Sequence, residues 1–190
     1  MSAVTSPALI PPHGSYRQLR SFQCAQQVYD ATVIFCDRFV EKRSRTRDQM
    51  VQAARSGVQN IAEGSMASAT SKKMELKLTG VARASLEELL LDYQDFLRQR
   101  HLRLWPKDSP EALAVRRWYQ SDASDRSDPS DAYGIATASP EVAANTLICL
   151  INQVSFLLGR QLRQLERQFL HEGGFSERLY RERQTRRRDP

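Results

Sequence analysis

SKKMELKLTGVARASLEELLLDYQDFLRQRH, residues 71–101, decides the fold class. Met74, Leu78, Val81, Ala82, Leu89, Tyr93, Phe96 and Leu97, with Ser85 in register, recur at steps of three and four. That spacing lines one face of an α-helix and matches no strand. The segment predicts a helix of about 45 Å at the usual rise per residue. Thr70 or Ser71 supplies its N-cap, and Glu75 lies near its positive end. Leu86, Leu90 and Leu91 widen the stripe beyond what one neighbour covers. The extra width fits either a helix packed on two sides within a bundle or an added subunit interface.

Three further long helices follow from the same pattern. The first, about residues 16–40, carries Leu19, Phe22, Ala25, Val28, Tyr29, Thr32, Phe35, Cys36 and Phe39, with Ser15 and Gln18 as a capping box. The second, about 46–63, starts at a Thr46/Gln49 capping box. It presents Met50, Ala53, Ala54, Val58 and Ile61, residues mostly small enough for close approach, and Gly64 is placed to stop it. The last, about 140–171, opens on Ser139-Pro140-Glu141 and runs through Leu147, Leu150, Ile151, Val154, Leu158, Leu162, Leu165 and Phe169 to Gly173-Gly174. Ser109-Pro110-Glu111 repeats that start signal for a short helix, about 110–119. Residues 121–138 include the polar run SDASDRSDPS and read as a flexible excursion; residues 1–14, with Pro7, Pro11 and Pro12, read as a flexible arm. The expectation is an all-α chain: an antiparallel up-down four-helix bundle over 15–174, a long connection before its last helix, and a basic C-terminal extension over 175–190.

Composition agrees with one ordinary globular domain: 41% hydrophobic and 26% charged residues, with only 8 Gly and 8 Pro in 190. No run of eighteen apolar residues and no cationic leader followed by an apolar block occurs. No membrane span or secretory signal is therefore expected, and the cytoplasm is the expected compartment. Cys24, Cys36 and Cys149 sit in apolar helical patterns and read as reduced, buried thiols. The net charge of +6 is concentrated. Arg178, Arg181, Arg183, Arg186, Arg187 and Arg188 face only Glu182 within their segment, and Arg38, Lys42, Arg43, Arg45 and Arg47 surround Glu41. A free basic end suits phosphate contact, and Tyr180 adds a stacking group. An acidic protein surface is the competing partner for the same charges.

Signatures of catalysis are missing from the sequence. A di-iron bundle needs Glu-x-x-His on its helices, but the residues three before His101 and His171 are Arg98 and Gln168. Cys24 and Cys36, twelve residues apart on one helix, lie too far from each other to share a metal. No phosphate-binding glycine loop and no Gly-x-Ser-x-Gly elbow occurs. Arg55, Asn60 and Glu63 on the second helix face Glu75, Ser85 and Glu88 on the third. They are expected to form a structural polar network, with Arg55 pairing Glu88 and Asn60 bonding across. No catalytic residue, metal or cofactor is expected.

Ala53 to Leu97 then resembles the bacterial four-helix-bundle family encoded in intervening sequences of large-subunit ribosomal RNA genes. Arg55-Ser56, Asn60-Ile61-Ala62-Glu63-Gly64, a serine-capped third helix and the Ser85-x-x-Glu88 step carry the likeness. SFQCAQQVYDATVIFCDRF is similar to the family's opening helix, and EGGFSERLYRERQTRRR resembles the extension of its suffix-domain subgroup. The long stretch Trp105 to Pro140 departs from the compact family pattern. The resemblance implies a homo-oligomer, a pentamer in known relatives, with no established catalytic site. It also implies a distant likeness to an accessory protein of diversity-generating retroelements, which associates with a reverse transcriptase and nucleic acid.

Overall fold

The computed structural model describes residues 15–120, 133–173 and 175–188, and every regular element among them is helical. A 3-10 turn at Tyr16–Gln18 leads into α1 (Arg20–Phe39), followed by α2 (Arg45–Ala67) and α3 (Lys72–Gln99). Then come α4 (Pro110–Gln120), α5 (Pro140–Glu172) and α6 (Phe175–Arg188). The expected arm over 1–14 and the greater part of the expected flexible excursion, 121–132, lie outside the described residues.

Pairings between helices fix their directions. Along α2 and α3, Ser56 meets Ser85, Gly57 lies against Leu86, and Gly64 against Leu78. One number rises as the other falls, so the two helices run antiparallel. Ser21 bonds Gln161 at one end of α1, while Arg38 reaches Ala138 at the other, so α1 and α5 also oppose each other. Thr32 touches Tyr93 and Arg100 reaches Phe39, which makes α1 and α3 parallel. In addition α1 packs on α2, α3 on α5, and α4 on α5.

The core between these helices includes Val28, Phe35, Leu86, Leu89, Tyr93, Leu147, Leu150, Ile151 and Leu158, all sealed from solvent. Burying each large apolar side chain contributes about 1.5–3 kcal/mol. Phe35 meets Tyr93 and Phe96 edge-to-face, with ring centres 4.9 and 4.8 Å apart. The Tyr93 hydroxyl donates to Thr32 Oγ1 (3.0 Å), which donates to the Val28 carbonyl (2.7 Å). Both buried hydroxyls are thereby satisfied, and the pair ties α3 to α1.

Several boundaries differ from the sequence expectation for identifiable reasons. Gly64 does not stop α2, which continues to Ala67. Gly64 is buried in the seam instead, where an added Cβ would lie 3.3 Å from Leu78 Cβ; at Gly57 it would lie 2.9 Å from Leu86 Cγ. These glycines, seven residues apart on one face, serve close approach rather than termination. Ser44, not Thr46, caps α2, accepting from the Thr46 amide. Leu19, with no side-chain cap, precedes α1, and Ser15 belongs to the preceding turn. The caps at Ser71, Ser109 and Ser139 are as expected.

Residues 133–138, expected to be flexible, form a turn with Ile135 buried in the core. Gly173, at φ +72°, ends α5, a conformation suited to glycine. By length and composition α5 could cross a membrane, with a mean hydropathy of 1.6 over its most apolar window. However, 56% of that window is buried within the fold, mainly where α5 meets α1, α3 and α4.

Candidate nucleic-acid interface

The basic residues singled out in the sequence fall at opposite ends of α1. Residues 38–47 span the end of α1, the turn and the start of α2, and α6 follows the far end of α5, which runs eleven residues past the Gln161 that meets Ser21. Ser21 and Arg38 are separated by about 25 Å along α1. The turn and the tail therefore do not form one continuous patch.

At the turn, the cations divide by use. Arg38 donates to the carbonyls of Ile135 and Ala138 (2.9 Å to the latter) and lies over the Phe39 ring at 4.3 Å. It fastens the turn before α5 to the end of α1. Arg47 pairs with Asp37 at 2.6 Å, and that hydrogen bond raises the already high pKa of the guanidinium. Lys42, Arg43 and Arg45 are exposed and remain available for contact. Beside them, a cleft of about 310 Å³ is lined by Glu41, Asp92 and Asp95 as well as Arg100, so this pole has mixed charge. Asp92 Oδ2 is buried there without a hydrogen-bond partner among the described residues. Burial, reinforced by Glu88 and Asp95, raises the Asp92 pKa above the usual carboxylate value.

On α6, Tyr180, Arg183 and Arg187 follow one another at i, i+3 and i+7, so they share a face, and all three are exposed. The Gln184 amide donates to the Tyr180 hydroxyl at 3.0 Å. Arg181 is exposed on an adjoining face. The side chains of Arg178, Arg186 and Arg188 lie outside the described residues.

The expected polar network is only partly assembled. Its bridge is Ser56 Oγ to Ser85 Oγ at 2.9 Å. Asn60 does not bond across to α3; its amide donates to the Ser56 carbonyl (2.9 Å) and hydroxyl (3.1 Å). Ser56 is thus the central residue, missed in the network because serine mid-helix reads as a weak helix former. Arg55, Glu63 and Glu88 are exposed, and no ion pair joins Arg55 to Glu88 among the described residues. Glu88 shares a cleft of about 450 Å³ with Ser56 and Ser85, whose lining includes neither Arg55 nor Glu63. Glu75 belongs to a different neighbourhood, at the far end of the seam, where Lys72 bonds it at 3.2 Å.

That far end holds a cleft of about 510 Å³ between α1, α3 and α5. Arg20, Lys72, Arg160, Arg163 and Arg167 line it, with Glu75 as the one carboxylate among the lining residues. None of these five cations was among the sequence candidates. The signal was present in RQLRQLERQ, residues 160–168, where Arg-Gln recurs at 160, 163 and 167, a single helical face. Leu162 and Leu165 masked it by marking the segment as core.

Cys24 and Cys36 are buried as expected, whereas Cys149 is only half-buried. Burial pushes Cys36 up to about 12 and raises Cys149 as well, so both remain protonated at neutral pH. Among the described residues, no three His, Cys, Asp or Glu gather as a metal site. In comparisons with family models, curated proteins and solved structures, the chain has no match.

Proposed function

We propose that the chain is a non-enzymatic, self-assembling, antiparallel up-down four-helix bundle of the intervening-sequence family, and that it binds RNA or DNA through its basic tail and turn. The observation that carries the reading is α6. It presents Arg183 and Arg187 on one exposed face with Tyr180, a combination suited to phosphate and base contact. Lys42, Arg43 and Arg45 add an exposed cationic site at the other pole. Arg38 and Arg47 leave the contact set, because their guanidinium groups serve the fold. The bundle reading is supported by the alternating directions of α1, α2, α3 and α5 and by the core they enclose.

Fluorescence anisotropy with a labelled single-stranded oligonucleotide tests the proposal. Binding is expected to weaken as salt rises, and deletion of residues 175–190 to flatten that dependence. Oligonucleotide binding that is absent at low salt, or unaffected by the deletion, sinks it.

A second reading, a protein-interaction scaffold or accessory subunit that binds no nucleic acid, draws on exposed apolar side chains. Leu91 and Phe156 are each 57% exposed, and Leu170 is 76% exposed. Such groups fit self-assembly or a protein partner. Light scattering that gives a concentration-independent monomer mass rules out self-assembly. Nuclease-resistant capture of one defined protein, with no oligonucleotide binding, favours this second reading.

A further inference from the structure

We propose that the cleft between the start of α1, the start of α3 and the second half of α5 is a binding site for consecutive phosphate groups. It shares no residue with the turn or the tail, so it stands apart from the reading above. Five cations and one carboxylate line it. Its volume of about 510 Å³ falls within the ordinary size range of ligand sites.

The linkage of its parts suits phosphate in series. Arg160, Arg163 and Arg167 are exposed along one side of α5, spanning about 10 Å of helix axis. That length lets the row contact more than one phosphate of a chain at once. Gln161, Gln164 and Gln168 follow the same rows and supply neutral amides beside the guanidinium groups. The floor is fixed: Ser21 donates to Gln161 Oε1 at 3.0 Å, and Leu165 is buried. Arg167 Nε donates to the Arg163 carbonyl at 3.3 Å, which holds one guanidinium along the groove. An anion entering here meets planar donors able to make paired hydrogen bonds.

Glu75 opposes such a ligand and limits its affinity. It is buried at the α3 end of the cleft and bonded to Lys72. Removing its charge leaves Lys72 free to turn toward the ligand.

The test uses the full-length chain and two probes. Tripolyphosphate is titrated by calorimetry, and a short single-stranded oligonucleotide by anisotropy, both at low salt. Arg160→Ala/Arg163→Ala, two exposed positions whose loss leaves the core intact, is expected to weaken whichever probe binds by about tenfold or more. Glu75→Gln is expected to tighten it several-fold. Tripolyphosphate binding lost in the double variant supports the site and assigns it to small polyphosphates. Oligonucleotide binding lost in the double variant, with tripolyphosphate inert, supports it and assigns it to a nucleic-acid strand. Wild-type protein that binds neither probe, or a double variant that binds both as wild type does, overturns the proposal. Oligonucleotide binding that responds to deletion of 175–190 but not to the double variant overturns it too, while leaving the tail reading standing.

Discussion

Arg38 and Arg163 are both exposed arginines at opposite poles of one all-helical fold, and their surroundings give them different work. At the α1–α2 pole, Arg38 holds two backbone carbonyls of the turn before α5, and Arg47 is paired with Asp37. Glu41, Asp92 and Asp95 line the neighbouring cleft. At the α5 pole, Arg163 stands among four further cations and one carboxylate. The lesson is that a cation count along the chain does not locate a binding surface. What matters is where each guanidinium is aimed: Arg38 and Arg47 turn theirs onto carbonyls or a carboxylate of another segment, whereas Arg160, Arg163 and Arg167 lie along a cleft.

The sharpest way to break this comparison is Arg38→Ala. If Arg38 is structural, its loss frees two carbonyls and detaches the 133–138 turn, lowering stability by about 2 kcal/mol, the contribution of one hydrogen bond to a charged group, because the bond to Ala138 is exposed and adds little. Urea denaturation reads the loss, and hydrogen exchange places it in that turn. A stable Arg38→Ala protein with weakened oligonucleotide binding would return Arg38 to the contact set.

The buried carboxyls of the two poles offer a smaller contrast. Asp92 and Glu75 both have raised pKa values, mainly through burial, but Lys72 offsets the shift at Glu75 alone. For an acid raised on folding, the native state holds the proton more tightly than the unfolded state. The associated stability is full below the ordinary carboxylate value and is lost as pH rises through the folded pKa. Asp92→Asn is therefore expected to raise stability at pH 7 by about 1 kcal/mol, the lower end for an unsatisfied buried group. That gain should disappear in acid, below the ordinary value of 3.8. Glu75→Gln should gain less, because it also gives up the Lys72 bond. Denaturation midpoints across pH 3–7 check both, and a larger gain at Glu75 would refute the contrast.

The smallest effect is expected at the Arg47–Asp37 pair. Its side chains are 26% and 53% exposed, so a double-mutant cycle should return a small coupling that falls with salt. Lys42→Ala beside it should leave stability unchanged within about 0.5 kcal/mol.

The sequence marked out the helices well because their signals are local. Helical spacing of Met74, Leu78, Ala82, Leu89 and Tyr93, and serine caps at 71, 109 and 139, depend only on neighbours a turn away. The same reasoning misjudged Gly64, since a glycine after Glu63 looks like a stop until Leu78 is found 3.3 Å from where its Cβ would stand. The candidate site was legible in the tail and half-legible at the turn. At the cleft the arginine row of α5 could be read from residues 160–168, but its meeting with Arg20 and Lys72, far away in the chain, could not.

By itself, then, the sequence determined that this chain is helical, where most helices begin, and which segments are basic. Periodicity, capping and composition are properties of adjacent residues. Only the tertiary structure decided which charges are engaged by protein acceptors and which converge, because both depend on groups up to about a hundred residues or more distant. Arg38 finding Ala138, and Arg20 facing Arg163 across one groove, are results of packing that no local window contains.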